Sequence, residues 1–175
     1  MIHFVDNFST LFLTSLRSGP LTDFFYFMTT VGGVAGVMTI LGGLFLFSIW
    51  SKKYISTVVI ASGTVLAWAI QFSLKLTFLR SRPSDLMALV VEDGYSFPSG
   101  HALVSFVFFG LLTNEIIKNK YARKYSRLIV AGATLLIFLI GLSRVYLGVH
   151  FATDVLGGWL IGLMVWLLVV WLFKR

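Results

Sequence analysis

A histidine and an aspartate, His150 and Asp154, lie four residues apart near the end of the sequence. On a helix this spacing would put them on one face, about one turn apart. The carboxylate could then accept a hydrogen bond from one ring nitrogen and leave the lone pair of the other exposed, which is how a catalytic histidine is oriented. The pair therefore predicts an oriented catalytic histidine, whereas a lone buried histidine is more often structural.

Three basic residues are spaced so that they could surround a phosphate. Lys75 and Arg82 are seven residues apart, or two helical turns, and would share a face of a helix that ends near Pro83. Arg144, at the end of another predicted helix, adds a third cation. Arginine offers a planar fork to phosphate and lysine a point charge. Each residue alone could equally be an interfacial side chain that snorkels, and Arg80, outside this spacing, is expected to be one.

A helix N-terminus is predicted at Pro98-Ser99-Gly100-His101, which precedes a long apolar run. Unpaired N–H groups, a serine hydroxyl and a glycine without a side chain favour anion binding at such an end. The alternative is an ordinary helix start with Ser99 as its cap. His101 is the residue that argues against this alternative.

The elements that position these residues are predicted to lie in a membrane. Of the 175 residues, 58% are hydrophobic and only 12% are charged, and the mean hydropathy is +0.92. Because a soluble domain carries about 25% charged residues, this composition excludes an ordinary water-soluble fold. The chain has no cysteine, which also excludes disulfides and thiolate chemistry.

Charge-free intervals predict an all-α fold: a single polytopic bundle over residues 1–175 with five to six membrane-spanning helices. Residues 1–18 carry apolar side chains at helical spacing between polar ones such as His3 and Asp6, which predicts an amphipathic interfacial helix, with a partly inserted sixth helix as the alternative. Gly32-Gly33 allows a kink in the first span. The expected spans are about 24–51, 54–79, 98–117, 128–147 and 154–173.

The distribution of charge predicts the orientation. Five spans put nine basic residues against one acidic residue, Glu115, on one side of the membrane, and the positive-inside rule makes that side cytoplasmic. The polar motifs then lie on the outer side, and the net charge of +7 is attributed to loops rather than to nucleic-acid binding. The nine basic residues are Lys52, Lys53, Lys118, Lys120, Arg123, Lys124, Arg127, Lys174 and Arg175.

Taken together, these residues resemble the three signature motifs of the type 2 phosphatidic-acid phosphatase family of membrane lipid phosphatases. The motifs run in order over residues 75–154, and the helical layout resembles that family over nearly the whole chain. The matching residues are Lys75 followed by six residues and Arg82-Pro83, then Pro98-Ser99-Gly100-His101, then Ser143-Arg144, five residues, His150, three residues and Asp154.

The resemblance implies a phosphatase that needs neither a metal nor another cofactor. His150 would attack phosphorus and form a phosphohistidine, Asp154 would orient it, and His101 would protonate the leaving group. The phosphoryl oxygens would be held by Lys75, Arg82, Ser99, the Gly100 backbone and Arg144.

The expected substrates are lipid phosphates of the bilayer, namely phosphatidylglycerophosphate, undecaprenyl pyrophosphate or phosphatidic acid, cleaved at the extracytoplasmic face of the inner or plasma membrane. Glu92 and Asp93, in the loop before Pro98, are expected to be solvated, with headgroup selection as the alternative. A lipid phosphotransferase and a non-enzymatic lipid-phosphate binder or transporter are alternative functions. The sequence leaves the oligomeric state open.

Overall fold

A computed structural model describes residues 2–52, 54–83 and 87–173, with side chains from Phe4 onward. Lys53, Asp85, Lys174, Arg175 and the side chain of His3 lie outside the described residues, so the expectations that rest on them stay predictions. The described chain is helical and contains no strand. Its helices are α1 (Ile2–Ser15), α2 (Gly19–Gly32), α3 (Val34–Ser51), α4 (Tyr54–Phe78), α5 (Gly100–Ile117), α6 (Lys120–Arg123), α7 (Ser126–Tyr146) and α8 (Ala152–Leu172).

Five of these helices, α3, α4, α5, α7 and α8, are long and apolar enough to cross a membrane. The expected all-α fold is therefore confirmed. Because consecutive spans alternate in direction, α4 and α7 end where α5 and α8 begin, and we call this the site end of the bundle. The described basic residues that follow α3 and α5 lie at the opposite end.

A continuous first span over 24–51 is wrong, since the helix breaks at Gly33. Gly33 has an extended conformation with φ of −79° and ψ of 175°. A Cβ atom there would lie 3.1 Å from the Thr29 carbonyl oxygen and 3.2 Å from Nε2 of His101. The break and the missing side chain therefore let the backbone approach a predicted site residue.

Helix α5 lies at the centre of the bundle and packs most closely on α8. Gly158 and Gly162 of α8 face α5, and a Cβ atom at Gly158 would lie 2.8 Å from the Ser99 carbonyl oxygen. Small residues allow two membrane helices to approach in this way. The close packing brings the first turn of α8 to the start of α5, where Ser99 N donates to the main-chain oxygen of Asp154 at 3.0 Å.

Helix α1 is amphipathic, as expected, and its polar side faces the protein. Asp6 and Thr10 are buried, whereas Phe4, Phe8 and Phe12 are exposed. The 14 residues of α1 span about 21 Å, less than the roughly 30 Å of a hydrocarbon core. Its exposed apolar face and buried polar face fit a helix that lies at the membrane surface against α7 and α8.

Candidate active site

All eight predicted site residues lie at the site end. Lys75 is in the last turn of α4 and Arg144 in the last turn of α7, while Asp154 is in the first turn of α8. Gly100 and His101 are in the first turn of α5. Arg82 and Ser99 lie in the loop before α5, and His150 lies in the loop before α8. Residues separated by as many as 79 positions are therefore brought together by the alternation of the helices.

The expectation that His150 and Asp154 share a helical face is wrong, because His150 lies in the loop before α8. Asp154 accepts a hydrogen bond from Phe151 N at 2.9 Å, and an acidic side chain in this position caps the first turn of its own helix. His150 precedes that cap. Its Nδ1 nevertheless lies 3.5 Å from Oδ2 of Asp154, so the two residues meet across the helix start.

Ser96 is a residue of this site that the sequence analysis missed. Its buried hydroxyl donates to Oδ2 of Asp154 at 2.5 Å and lies 3.3 Å from Nδ1 of His150. No motif marks Ser96; only its position two residues before Pro98 could have drawn attention to it. The contact depends on the fold of the loop, where Ser96 N donates to the Arg80 carbonyl oxygen at 2.8 Å.

These contacts assign the tautomer of His150. Because the Ser96 proton goes to a carboxylate, the Ser96 oxygen can only accept from Nδ1, which therefore carries the ring proton. On the other side of the ring, NH1 of Arg82 lies 3.3 Å from Nε2. A guanidinium can only donate, so Nε2 presents its lone pair.

His150 is neutral at physiological pH. Burial lowers its pKa to about 4, the positive charges of Arg144 and Arg82 act in the same direction, and the hydrogen bond and charge of Asp154 oppose them. Burial likewise lowers the pKa of Arg82, with Glu92 as its largest opposing charge. A neutral ring with a lone pair on Nε2 is the form that a nucleophile or a general base requires.

Glu92 contacts two of the residues that are predicted to bind phosphate. The buried Arg144 donates to its carboxylate, and NH2 of Arg82 lies 3.6 Å from its Oε2. Arg144 also donates to Thr29 of α2. The expectation that Glu92 is solvated is therefore wrong. Its carboxylate contacts two cations that a substrate phosphate would also attract.

A cavity of about 460 Å³ opens beside these residues. Its polar lining residues include Lys75, Arg82, His101, His150 and Glu92, and Gly100 also lines it. Its apolar lining residues include Val34, Trp68, Phe72, Leu76 and Val104. Ser99, Arg144 and Asp154 do not line it.

The start of α5 has two further features, at Ser99 and Gly100. A Cβ atom on Gly100 would lie 1.9 Å from Oε1 of Gln71, so the Gln71 side chain occupies the space that a larger residue would need. Ser99 does not cap α5 through its side chain, and within the described chain its buried hydroxyl has no hydrogen-bond partner. The alternative is therefore confirmed for the position of Ser99, which is the N-cap residue of α5, and wrong for its side chain, which makes no capping hydrogen bond.

Arg80 is bonded within the protein, so its interpretation as a snorkelling residue is also wrong. Its guanidinium forms ion pairs of 2.5 Å with Asp154 and of 2.5 Å with Asp6. In the part of the chain that the structure describes, no three His, Asp and Glu side chains are grouped as metal ligands would be.

The chain is similar to known proteins over much of its length. The family model of the PAP2 superfamily matches residues 54–175. Phosphatidylglycerophosphatase B of Bacillus subtilis is 41% identical over 91 residues, which cover 51% of this chain and 44% of that protein. Lipid A 4'-phosphatase of Porphyromonas gingivalis is 32% identical over 161 residues, 83% of this chain and 64% of that protein. The chain thus spans less than two thirds of the length of either relative.

Among solved structures, a transmembrane PAP2-type phosphatidylglycerolphosphate phosphatase from Bacillus subtilis superposes with a TM-score of 0.93 at 26% identity. The match covers 99% of this chain and 86% of that chain. The five apolar helices and this neighbour identify a multi-pass membrane protein.

Proposed function

The chain belongs to the PAP2 superfamily, and from this membership we propose that it dephosphorylates membrane lipid phosphates through a phosphohistidine. One observation carries the proposal. Nδ1 of His150 lies near Ser96 and Asp154 and its Nε2 lies near Arg82, beside a cavity that is lined by both cationic and apolar side chains.

The cationic groups would hold the phosphoryl oxygens. Lys75 and Arg82 line the cavity, and Arg144 would join them when phosphate replaces the Glu92 carboxylate. The free hydroxyl of Ser99 and the N–H of Gly100 at the start of α5 supply further donors. Phosphoryl transfer needs mainly alignment and neutralisation of charge on these oxygens. The side-chain cations supply that charge, so the proposed reaction uses no divalent metal.

In the first step, the lone pair of Nε2 of His150 forms a bond to phosphorus while the bond from phosphorus to the lipid oxygen breaks. His101 donates a proton to that oxygen, which leaves as an alcohol or, from a diphosphate, as a monophosphate. Asp154 stabilises the positive charge that develops on the ring of His150.

In the second step, His101 takes a proton from a water molecule, whose oxygen attacks phosphorus as the bond between phosphorus and Nε2 breaks. Inorganic phosphate leaves, and both histidines return to their starting forms. Splitting the hydrolysis in two is the usual benefit of a covalent nucleophile.

The shape of the cavity supports a lipid as the substrate. Trp68, Phe72 and Leu76 of α4 form an apolar wall beside Lys75, so a chain and a phosphate could be bound side by side. Of the two relatives named above, phosphatidylglycerophosphatase B makes phosphatidylglycerophosphate the first substrate to test, and lipid A 4'-phosphatase adds lipid A. Undecaprenyl pyrophosphate and phosphatidic acid are the other substrates expected from the sequence.

The charge distribution supports an extracytoplasmic site in the inner or plasma membrane. The described basic residues Lys118, Lys120, Arg123 and Lys124 lie at the end of the bundle opposite to His150. The positive-inside rule assigns that end to the cytoplasm.

The test is phosphate release by the detergent-purified protein from the four lipids in the presence of EDTA, with His150→Ala and Lys118→Gln in parallel. Lys118 pairs with Glu115 at the opposite end of the bundle, and so controls for the loss of a charged side chain. We expect EDTA-resistant release by wild type and Lys118→Gln only. Equal release by His150→Ala would contradict the proposed nucleophile. Transfer of labelled phosphate to a lipid instead of water would indicate the phosphotransferase, and binding without release the non-enzymatic alternative.

A further inference from the structure

Arg80 links the interfacial helix α1 to the catalytic aspartate. Its NH1 donates to Oδ1 of Asp154 at 2.5 Å and to Oγ1 of Thr153 at 2.8 Å, and its NH2 donates to Oδ2 of Asp6 at 2.5 Å. The guanidinium carbon also lies 4.5 Å from the centre of the Phe151 ring. The side chain is therefore fixed by charge, hydrogen bonds and a cation–π contact together.

Arg80 contacts both residues that face Nδ1 of His150. Oδ2 of Asp154 already accepts from Ser96 and from Phe151 N, which leaves Oδ1 for Arg80. The carbonyl oxygen of Arg80 accepts from Ser96 N at 2.8 Å. Arg80 thus fixes Asp154 with its own side chain and Ser96 with its own main chain.

Asp6 fixes Arg80 from α1. Its carboxylate is 1% exposed, and it accepts from Thr153 N at 3.1 Å and from Oγ1 of Thr153 at 2.8 Å in addition to Arg80. A buried carboxylate is stable only with such partners. Asp6, on the polar face of α1, is therefore linked to Asp154 through Arg80.

We propose that Arg80 is a positioning residue for His150, that it acts through Asp154, and that Asp6 holds it in place. This rests on the proposed function of His150. NH1 of Arg80 donates to Thr153 and Asp154 and NH2 donates to Asp6, so the proposal assigns this side chain to the orientation of the nucleophile and not to the binding of phosphate.

The kinetic test compares Arg80→Gln, Arg80→Lys and Asp6→Asn with wild type on phosphatidylglycerophosphate in detergent micelles. For Arg80→Gln we expect kcat to fall about 10- to 100-fold, the usual effect of removing a group that orients a catalytic residue. KM and the inhibition constant of inorganic phosphate should stay within about twofold, because Lys75 and Arg82 are unchanged. Arg80→Lys should recover part of kcat, and Asp6→Asn should lower it less.

A double variant tests whether Arg80 acts through Asp154. If it does, Arg80→Gln combined with Asp154→Asn should be about as slow as Asp154→Asn alone. Effects that multiply, or a loss confined to KM, would overturn the proposal.

A spectroscopic measurement separates this proposal from the proposed function, since it needs no turnover. The chain has three histidines, so the ¹⁵N signals of the His150 ring can be assigned by their loss in His150→Ala. Wild type and Lys118→Gln should show a proton on Nδ1, whereas Arg80→Gln should shift the signals toward a mixture of tautomers. Identical spectra in wild type and a folded Arg80→Gln variant would overturn the proposal, whether or not the protein releases phosphate. Thermal unfolding in detergent checks that each variant is folded.

Discussion

Nδ1 of His150 lies 3.5 Å from Oδ2 of Asp154, although His150 is outside helix α8 and Asp154 is inside its first turn. The aspartate caps its own helix through Phe151 N and faces the histidine with the same oxygen. The Ser96 hydroxyl also donates a hydrogen bond to that oxygen, so three groups contact it. The orientation of His150, the proposed nucleophile, therefore depends on a helix start and a loop.

Asp154→Asn should lower kcat by about 10²- to 10⁴-fold, the range expected when the residue that sets a histidine tautomer is replaced. The amide can still accept from Phe151 N, so the start of α8 should remain intact. Initial rates at several concentrations of phosphatidylglycerophosphate separate kcat from KM, and KM should change little. Full activity in this variant would contradict the role of Asp154.

Activity should persist well below pH 6. The pKa of His150 is lowered to about 4, and protonation removes the lone pair of Nε2. The neutral, competent ring is therefore present above about pH 4 and is lost as the pH falls through that value. The profile of kcat/KM against pH should show an acid limb near 4 that His101→Asn leaves in place. An acid limb near 6.5 that belongs to His150 would contradict the prediction.

Glu92→Gln should strengthen inhibition by inorganic phosphate about two- to fivefold. The Glu92 carboxylate, on a side chain that is 29% exposed, pairs with the buried Arg144 and lies 3.6 Å from Arg82. A two- to fivefold change in the inhibition constant corresponds to about 0.4–1 kcal/mol. The uncharged amide should compete less well with phosphate for the two guanidinium groups. The matched control is Asp93→Asn, because in the described structure the Asp93 carboxylate forms no ion pair. Weaker inhibition in Glu92→Gln would show that Glu92 supports phosphate binding.

Gly158→Ala should lower the thermal midpoint of the protein in detergent. The added Cβ atom would lie 2.8 Å from the Ser99 carbonyl oxygen and 3.0 Å from Cβ of Ala102, so α8 must move away from α5. Overpacking of this kind costs about 1–3 kcal/mol. Gly42→Ala is the control, because nothing lies within 4 Å of its added Cβ atom. Equal midpoints for the two variants would contradict the packing argument.

The amino-acid sequence determined the position of four of the five candidate membrane spans, together with the residues that meet at the site end, but not the start of the first span at Val34. A hydrophobic run long enough to cross a bilayer must form a helix, because its backbone polar groups have no other partners there. Alternation of five such helices then brings Lys75, Ser99, Arg144 and Asp154 to one end, whatever the details of packing. The break at Gly33 was visible as a glycine pair, but its position beside His101 was not.

The tertiary structure decided which partners the charged groups take. Ser96 bonds Asp154 across 58 positions, Arg80 bonds the same carboxylate across 74, and Arg144 bonds Glu92 across 52. These contacts form in loops and at helix ends, where no periodic pattern in the sequence predicts which residues will be in contact. A periodic pattern of hydrophobic residues predicts a helix from neighbouring residues alone. A hydrogen bond between distant residues forms only when the packing of the helices has brought its donor and its acceptor together.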